Sequence, residues 1–150
     1  KSDDFALRGD IWESDEYGSF RFRGEATKYL TYETESQFGS GILGDAVDSL
    51  GFPEWRTSAL VSWTMGNWAA NISTSYIGES ESGSGEVQWD SWKEHNLNVS
   101  YDFSEYGELT VGANNLTNED PLLDASGSQA DEYQYPILGR VVYVDYTIEL

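Results

Sequence analysis

The sequence contains no cysteine and few basic residues, and both absences exclude classes of chemistry. Without cysteine the chain has no disulfide, no thiolate nucleophile and no Cys-based zinc site. It has 8 basic and 27 acidic residues among 150, so its formal net charge is −19. No basic patch is available to displace the counterions of a phosphate backbone, and we therefore do not expect nucleic acid as a partner.

Long apolar runs and helical periodicity are also missing. No stretch approaches 18 consecutive apolar residues, so no membrane-spanning helix is predicted. This absence does not exclude a transmembrane β-barrel, because the strands of a barrel alternate apolar and polar residues and their mean hydropathy resembles that of a soluble protein. With six Trp, ten Tyr and six Phe, the chain is too aromatic for an acidic disordered segment.

Catalytic motifs are lacking as well. His95 is the only histidine and stands beside Glu94 at a predicted strand start, where a lone histidine is more often structural than catalytic. The chain has neither a Gly-x-Ser-x-Gly elbow nor a glycine-rich phosphate loop. The sequence therefore predicts no enzyme activity and no cofactor.

What the sequence does contain is a period of two. In one segment Leu97, Val99 and Tyr101 alternate with Asn96 and Asn98, as expected for a strand with one apolar and one polar face. The chain has the length of one domain, residues 1–150. Seven segments of this kind predict an all-β, antiparallel protein: 5–12, 20–32, 55–65, 68–77, 95–103, 108–116 and 140–150.

The connections between these segments alternate in length. Those at 14–18, 66–67 and 104–107 are short and carry Gly or Asn, which are typical of hairpin turns. The others are long: 33–54, 78–91 and 117–139. All tight turns then lie at one end of the sheet and all long loops at the other. Greek-key sandwiches seldom sort their loops in this way, whereas outer-membrane barrels do so routinely.

Alternation alone does not decide what the apolar face contacts. In a soluble sandwich it packs into a core, and in a membrane barrel it meets lipid while the polar face lines the lumen. Aromatic residues such as Trp55, Trp68 and Phe103 stand near predicted strand ends, where membrane barrels place their interfacial girdles. The pattern favours the barrel, and a sandwich with aromatics at its rims stays the alternative.

Five short motifs stand along the chain: GFPEWR at 51–56, WTMGNW at 63–68, SYIG at 75–78, VGANNLTN at 111–118 and GR at 139–140. In this order and over essentially the whole chain, they resemble the C-terminal barrel region of TonB-dependent outer-membrane receptors. Pro121 follows the fourth motif at the usual distance, and Tyr143 falls at the family's tyrosine after the fifth. The chain departs from the family in ending on Leu150 instead of Phe.

The resemblance implies a transmembrane barrel of about 22 strands closed around an N-terminal plug. Seven strands are an odd number and leave two edges in lipid, so we expect the chain to be a C-terminal portion of that barrel. The plug and the TonB box lie outside it. The implied function is TonB-dependent uptake of a scarce nutrient, such as an iron chelate, cobalamin or an oligosaccharide, across the bacterial outer membrane. The implied partners are the TonB complex, the barrel assembly machinery, outer-membrane lipid and a small extracellular ligand.

In such a barrel the polar residues of the strands would face the lumen. We expect the arginines among them to pair with Glu25, Asp102, Asp145 or carboxylates of the plug, with ligand binding as the lesser alternative. The lumen-facing candidates are Arg21, Arg23, Glu25, Arg56, Asn71, Asn96, Asn98, Asp102, Asp145 and Glu149.

The long loops would face outside, and they are rich in acids. A solvated surface is the first interpretation; calcium capture is the second, but the spacing matches no known calcium loop. Aromatic residues in or beside the loops either pack there or form a stacking platform for a ring-bearing ligand. These ligand candidates are Trp89, Trp92, Tyr133 and Tyr135.

The last segment, GRVVYVDYTIEL, alternates to the end of the chain. Its apolar residues would face lipid, and the pattern resembles the C-terminal signal read by the barrel assembly machinery. These signal residues are Val142, Val144, Tyr146, Ile148 and Leu150. Two other functions stay open: a soluble β-sandwich that binds carbohydrate, and a small structural or adhesive outer-membrane barrel.

Overall fold

The structure, a computed structural model, describes residues 2–35, 37–48, 52–81, 88–123, 135–136 and 138–148. Its centre is a 7-stranded sheet in which every neighbouring pair is antiparallel. The strands of this sheet are β1 (Ser2–Ser14), β2 (Gly18–Tyr29), β5 (Trp55–Met65), β6 (Trp68–Ile77), β9 (Trp92–Asp102), β10 (Glu108–Asn114) and β11 (Val141–Thr147).

The strands of the sheet stand in chain order, β1-β2-β5-β6-β9-β10-β11, so the sheet is a meander. The predicted all-β, antiparallel class and its seven strands are confirmed. A meander places successive connections at opposite ends, so the three tight turns share one end and the long connections share the other. We call these the turn end and the loop end. The sheet is open, with β1 and β11 as its edges.

Some strand boundaries differ from the prediction for local reasons. The bounds of β5 and β6 are the predicted ones. Strand β9 begins at Trp92 rather than at His95, because Trp92 still pairs with Ile77 of β6. Strand β10 ends at Asn114 because Asn115 has a φ of 51° and turns the chain away.

Short elements lie within the long connections, where the sequence predicted loops. The first is the hairpin of β3 (Glu33–Glu35) and β4 (Leu43–Asp45), and the second pairs β7 (Ser80–Glu81) with β8 (Gln88–Trp89). At the turn end, a 3-10 turn at Ser104–Tyr106 joins β9 to β10.

Glycine makes the tight turns possible. In the two-residue turn between β5 and β6, Gly66 has a φ of +57°, a conformation that glycine adopts without steric cost. Positive φ at the first central residue is typical of a type II′ hairpin turn, whose twist matches that of the flanking strands.

Strand β1 contains one irregularity. Its register against β2 shifts between Asp10 and Trp12, so that Trp12 stands opposite Phe20. Strict alternation from Phe5 would place Trp12 on the opposite face from Phe20. The bulge therefore moves a large aromatic residue onto the apolar side of the sheet.

The buried apolar core is small and lies at the loop end. Ile77, Trp92 and Tyr135 form one cluster against which Leu122 packs. Pro53, in the connection before β5, is also fully buried. The residues that the structure describes leave most of the sheet without such cover, and both of its faces carry exposed side chains along their length.

Candidate functional site

The pairing registers sort the side chains of the whole sheet onto two faces. Residues opposite each other in antiparallel strands share a face, so the register can be followed across all seven strands. For example, Val61 stands opposite Phe22 and Ile72, and Ser62 stands opposite Arg21 and Asn71. The apolar face includes Phe5, Leu7, Trp12, Phe20, Phe22, Val61, Trp63, Trp68, Ile72, Leu97, Val99, Tyr101, Leu109, Val111, Val142, Val144 and Tyr146.

The apolar face is exposed. Leu7 is 66% exposed, and Val142 and Val144 are each 67% exposed, although all three lie within strands. Trp68 and Ile72, on the central strand β6, are 49% and 42% exposed. Exposed apolar residues thus occur on both edge strands and on the central strand of this face, whereas monomeric soluble proteins rarely expose contiguous apolar patches of more than a few hundred Å².

Aromatic rings gather on this face at the turn end. Trp12 stacks on Tyr17 and on Phe20, each with centroids 5.7 Å apart. Tyr101 makes edge contacts of 4.7 Å with both Trp68 and Phe103. These rings form a row along one margin of the face, which we call the turn-side aromatic row.

In the same region, the polar groups of two aromatic side chains donate hydrogen bonds to backbone carbonyls of the turns. Trp63 donates its indole N–H to the carbonyl of Tyr17 at 2.7 Å, and the Tyr146 hydroxyl donates to the carbonyl of Tyr106. Tryptophan and tyrosine with an apolar body and a hydrogen-bonded tip suit a boundary between an apolar and a wet environment.

The loop end of the apolar face is different, because lysines accompany the rings. Lys28 Nζ lies 5.0 Å from the centroid of the Trp55 ring, and Lys93 Nζ lies 5.8 Å from that of Tyr76. His95 Nδ1 and Thr74 Oγ1 are 2.8 Å apart on the same face. The middle of the face, between these groups and the turn-side aromatic row, carries no charged side chain in the part of the chain that the structure describes.

The polar face carries the candidates that the sequence assigned to a lumen. Arg21, Arg23 and Glu25 of β2 share this face with Arg56 of β5, as the pairings of Arg21 with Ser62 and of Thr27 with Arg56 show. Asp145 of β11 stands opposite Thr110. The other described candidates on this face are Asn71, Asn96, Asn98 and Asp102, whereas Glu149 lies outside the described residues.

Charged groups on the polar face interact with each other. Arg23 donates to Glu25 Oε1 from Nε at 3.1 Å and from Nη2 at 2.7 Å, and Arg8 Nη2 lies 3.6 Å from the same oxygen. Arg23 and Glu25 stand two residues apart on β2, so this pair forms within one strand, and pairing across a barrel interior stays a prediction. All three side chains are well exposed, so the pairs contribute little to stability by themselves.

Amides and hydroxyls continue the polar face towards β11. Asn71 Nδ2 donates to Asn98 Oδ1 at 3.0 Å across the β6–β9 pair. Ser100 and Thr110 hydroxyls are 2.7 Å apart across the β9–β10 pair. At the turn end, Asp102 Oδ1 accepts the backbone N–H of Ser104 at 2.7 Å and so holds the tight turn.

Three of the four loop aromatics predicted as ligand contacts are buried. Trp92 is 2% exposed and meets Tyr135, which is 3% exposed, edge to face at 5.9 Å. Trp89 is 7% exposed and donates its indole N–H to the Leu123 carbonyl at 3.2 Å. In this conformation their rings pack against the protein, and a contact with a ligand stays a prediction. Tyr133 lies outside the described residues.

An acidic cavity of about 440 Å³ lies beside these aromatics. Four carboxylates line it, those of Asp48, Glu79, Glu81 and Asp90, together with Trp89. The backbone N–H of Glu81 donates to the Asp48 carbonyl at 2.6 Å and fixes the β7–β8 hairpin against the preceding loop. Among the residues that the structure describes, no group of three or more acidic or histidine side chains is placed to hold a metal ion.

Another loop-end carboxylate, Asp45 in β4, organises its own hairpin. Its Oδ1 accepts the backbone N–H of Tyr32 and that of Val47, both at 3.1 Å. These hydrogen bonds favour the charged form and lower the pKa of Asp45, with that from Tyr32 as the larger cause, against a smaller opposing effect of desolvation.

In the connection after β10, two asparagine side chains hold the backbone through hydrogen bonds that sequence reasoning missed. Asn115 is 2% exposed, and its amide closes the turn: Nδ2 donates to the Glu119 carbonyl at 2.8 Å and Oδ1 accepts the Glu119 N–H at 2.7 Å. Asn118, with a φ of 57°, accepts the backbone N–H of Arg140 at Oδ1. The motif VGANNLTN was a signal for this turn, but its contact with Gly139-Arg140 is visible only in three dimensions.

Three of the residues that the sequence predicts as a C-terminal signal lie on the apolar face of the edge strand β11. Val142, Val144 and Tyr146 stand opposite Ala113, Val111 and Leu109. Ile148 follows the strand and is 52% exposed, whereas Leu150 lies outside the described residues.

No helix in the described part of the chain is long and apolar enough to cross a membrane. Comparison with known protein families, with characterised proteins and with solved structures found no match for this chain.

Proposed function

We propose that this chain forms part of the wall of an outer-membrane β-barrel, and that the barrel is a TonB-dependent receptor for active uptake of a scarce nutrient. The observation that carries the proposal is the exposed apolar face: it runs across all seven strands, has aromatic rings at both ends and stands opposite a polar face. That combination suits a wall between lipid and a wet lumen.

The dimensions of the strands support a membrane. Strands β5 and β9 have 11 residues each, and β6 has 10. At about 3.3 Å per residue and a tilt of about 40°, such strands rise roughly 25–28 Å. The apolar band of outer-membrane barrels is about 25 Å tall, so these three strands have the length that one crossing needs.

A soluble sandwich fits the same observations less well. Its apolar face would be covered by a second sheet, at a spacing of about 10 Å. In the described residues the only further strands are the hairpins β3–β4 and β7–β8, which have three and two residues in each strand. Burial of Val142, Val144 and Leu7 therefore requires something outside the described fold, and lipid provides it without a second domain.

The uptake part of the proposal rests on the sequence motifs and on the polar face. The motifs VGANNLTN and GR, which resemble those of TonB-dependent receptors, meet in the structure through Asn118 and Arg140. The polar face offers Arg8, Arg23 and Glu25 to a plug domain inside the barrel. At the loop end, the acidic cavity lies where an extracellular ligand would first arrive, and it suits a neutral or cationic ligand better than an anion.

Membrane location is tested with one new charge on each face of the same strand. Val144→Lys places an ammonium on the apolar face in mid-strand, where a lysine in a bilayer costs about 2–4 kcal/mol. Asp145→Lys places the same group one residue away on the polar face. We expect the first variant of the complete gene product to fail to reach the outer membrane and the second to reach it, as judged by fractionation and by heat-modifiable mobility in SDS gels.

Equal tolerance of both lysines, or a monomer that folds in buffer without detergent, would show that the apolar face does not contact lipid. Uptake is tested separately in cells with and without TonB, using ferric chelates, cobalamin and oligosaccharides as probes. Accumulation that requires both the protein and TonB supports the receptor. Accumulation that does not depend on TonB rejects active uptake but does not contradict the proposed barrel.

A further inference from the structure

The wall of the acidic cavity contains a buried hydroxyl without a hydrogen-bond partner. Ser80 is 4% exposed, and its Oγ has no hydrogen-bond partner among the described residues. The residue lines the cavity together with Trp89, which stands opposite it in the β7–β8 hairpin. A hydroxyl buried in this way loses the hydrogen bonds that water would provide, which destabilises the free protein. A ligand in the cavity that hydrogen-bonds to Ser80 would recover that loss, so the position of this hydroxyl is a first indication of a binding site.

The negative charge of the cavity wall is not balanced by a base. Glu79, Glu81 and Asp90 are exposed, and Asp48 is half-buried. In the part of the chain that the structure describes, neither lysine, arginine nor histidine lines the cavity. The same imbalance extends over the sequence of the long connections, which together contain 14 acids and no basic residue: 33–54, 78–91 and 117–139. The cavity therefore attracts cations and repels anions.

The distribution of the carboxylates favours an extended cation over a compact one. Among the described residues, no group of three or more acidic or histidine side chains is placed to hold a metal ion, so the four carboxylates do not converge on one point. The cavity has a volume of about 440 Å³, which is within the range of small-molecule sites. Val47 and Trp89 give its wall an apolar part, and the indole of Trp89 is held by its hydrogen bond to Leu123. Such a wall suits a ligand in which carbon segments separate the charged groups.

One of the carboxylates is fixed in place by the surrounding backbone. The N–H of Asp48 donates to the Phe52 carbonyl at 2.9 Å, and its own carbonyl accepts the N–H of Glu81 at 2.6 Å. Its Oδ1 accepts the N–H of Glu54 at 3.0 Å. Because these bonds already position Asp48, less conformational freedom is lost there when a ligand binds.

We propose that the acidic cavity binds a small organic cation with two or more ammonium groups on an aliphatic chain; as a step of uptake, this rests on the proposed function. Each ammonium group offers three N–H donors and no acceptor, which matches a wall of carboxylates. One of these donors reaches Ser80 Oγ, which accepts it and thereby gains its missing partner. The aliphatic chain lies against Val47 and Trp89.

The test is isothermal titration calorimetry on the complete gene product in detergent, at about 0.15 M salt so that exposed charges are screened. Spermidine is the probe, and fully acetylated spermidine, which keeps the chain but carries no charge, is the matched ligand. We expect spermidine to bind and the acetylated form not to bind. Glu79→Gln/Asp90→Asn should weaken spermidine binding about tenfold, because two ion pairs are lost.

Ser80→Ala tests the buried hydroxyl. We expect it to weaken spermidine binding about tenfold, since a hydrogen bond to a charged donor is lost. The variant should unfold at the same temperature as the wild type in the absence of spermidine, because the hydroxyl has no partner in the free protein. An affinity for spermidine equal to that of the wild type would show that Ser80 does not contact the ligand and would overturn the proposed site.

A second acidic cavity, at the turn end, provides the control for non-specific attraction. Glu105 and Glu108 line it, and Glu105→Gln/Glu108→Gln removes two charges there, as Glu79→Gln/Asp90→Asn does at the loop end. The turn-end variant should bind spermidine as the wild type does. Equal weakening by the two double variants would reduce the effect to the net charge of the chain and would overturn the site.

The remaining outcomes separate the ligand class from the proposed function. Equal binding of acetylated spermidine overturns the assignment to a cation, and displacement of spermidine by equimolar calcium chloride assigns a metal site instead. Absence of spermidine binding in a protein with heat-modifiable mobility rejects the site but not the barrel. Spermidine binding without TonB-dependent accumulation of labelled spermidine supports the site and contradicts its role in active uptake.

Discussion

Asn118 Oδ1 accepts a hydrogen bond from the backbone N–H of Arg140 at 3.0 Å, across 22 positions of the chain. The bond joins the turn after β10 to the start of β11. Arg140 Nη1 adds a contact of 3.4 Å to the Leu116 carbonyl, and a Cβ at Gly139 would lie 3.1 Å from Asn118 Oδ1. The start of the last strand is therefore held by a side chain of the turn that follows β10.

The first prediction concerns this hydrogen bond. Asn118 has a φ of 57°, so Asn118→Ala loses the acceptor and also places alanine in the left-handed region, which asparagine tolerates better. We expect a loss of about 2 kcal/mol in the free energy of unfolding, of which about half reflects the hydrogen bond. Asn118→Gly removes the acceptor without the backbone strain and should lose only that half. Urea unfolding of the complete protein in detergent measures both, and two variants as stable as the wild type would contradict a role for this bond.

The second prediction concerns Gly112 on β10. The Tyr143 ring of β11 covers this residue, and a Cβ there would lie 2.5 Å from Tyr143 Oη. Gly112→Ala should therefore displace the ring and destabilise the β10–β11 pair by about 1–3 kcal/mol, as overpacking does.

Gly9 provides a matched control for Gly112, because it lies in β1 and a Cβ at that position meets nothing within 4 Å. Gly9→Ala should be neutral or slightly stabilising. The double variant Gly112→Ala/Tyr143→Ala should be more stable than the sum of its single variants predicts, since the clash is absent once the ring is removed. Strictly additive losses of stability would show that the Tyr143 ring and residue 112 do not interact.

The third prediction is a pH dependence of the β3–β4 hairpin. The pKa of Asp45 is lowered by the N–H groups of Tyr32 and Val47, so the folded hairpin prefers the carboxylate. The stabilisation is fully present above the ordinary aspartate pKa of about 3.9 and is lost as the pH falls through the lower folded value. Below about pH 4 we expect the Tyr32 and Val47 amides to lose protection from hydrogen exchange before the central strands do.

Asp45→Asn is the control for that titration, because the amide oxygen still accepts but does not ionise. The variant should show the same protection of the two amides at pH 3 and at pH 6, after correction for intrinsic exchange. An Asp45 carboxyl that titrates by NMR at or above its ordinary pKa would refute the effect.

The fourth prediction concerns the C-terminal signal. Ile148 is 52% exposed beyond β11 on the apolar side, so Ile148→Asp breaks the alternation that the assembly machinery is expected to read. We expect this variant, and loss of Leu150, to lower the amount of assembled protein in the outer membrane. Thr147→Ser keeps the hydroxyl that donates to Asp145 Oδ1 at 3.1 Å and should assemble normally. Pulse-chase fractionation compares them, and equal assembly of all variants would argue against the signal.

Much of the fold was predictable because alternation is a local property. The bounds of β5 and β6 follow from the apolar and polar residues between Trp55 and Ile77, since a strand places successive side chains on opposite faces. The pairs β1–β2, β5–β6 and β9–β10 followed from the tight turns, which allow only antiparallel neighbours. The face on which Trp12 lies could not be predicted in this way, because a bulge shifts the alternation by one residue and leaves no reliable mark in the sequence.

The candidate site was predictable only in part. The faces of Arg23, Asn71 and Asp145 follow from strand parity, and the structure places them together on the polar face. The burial of Trp92 against Tyr135 does not follow from strand parity. The two residues are 43 positions apart and meet only in the folded chain. The register of β2, β5, β6 and β9 was likewise required before Lys28 and Lys93 could be placed on the apolar face.

By itself the sequence determined the all-β class, the strands and the chemistry of their two faces, because each depends on near neighbours in the chain. Tertiary structure alone decided that the described loops do not cover the apolar face, that Asn118 accepts a hydrogen bond from Arg140, and that the Tyr143 ring packs on Gly112. These are contacts between distant residues, and their formation depends on the register and loop path of the folded sheet, which local alternation does not specify.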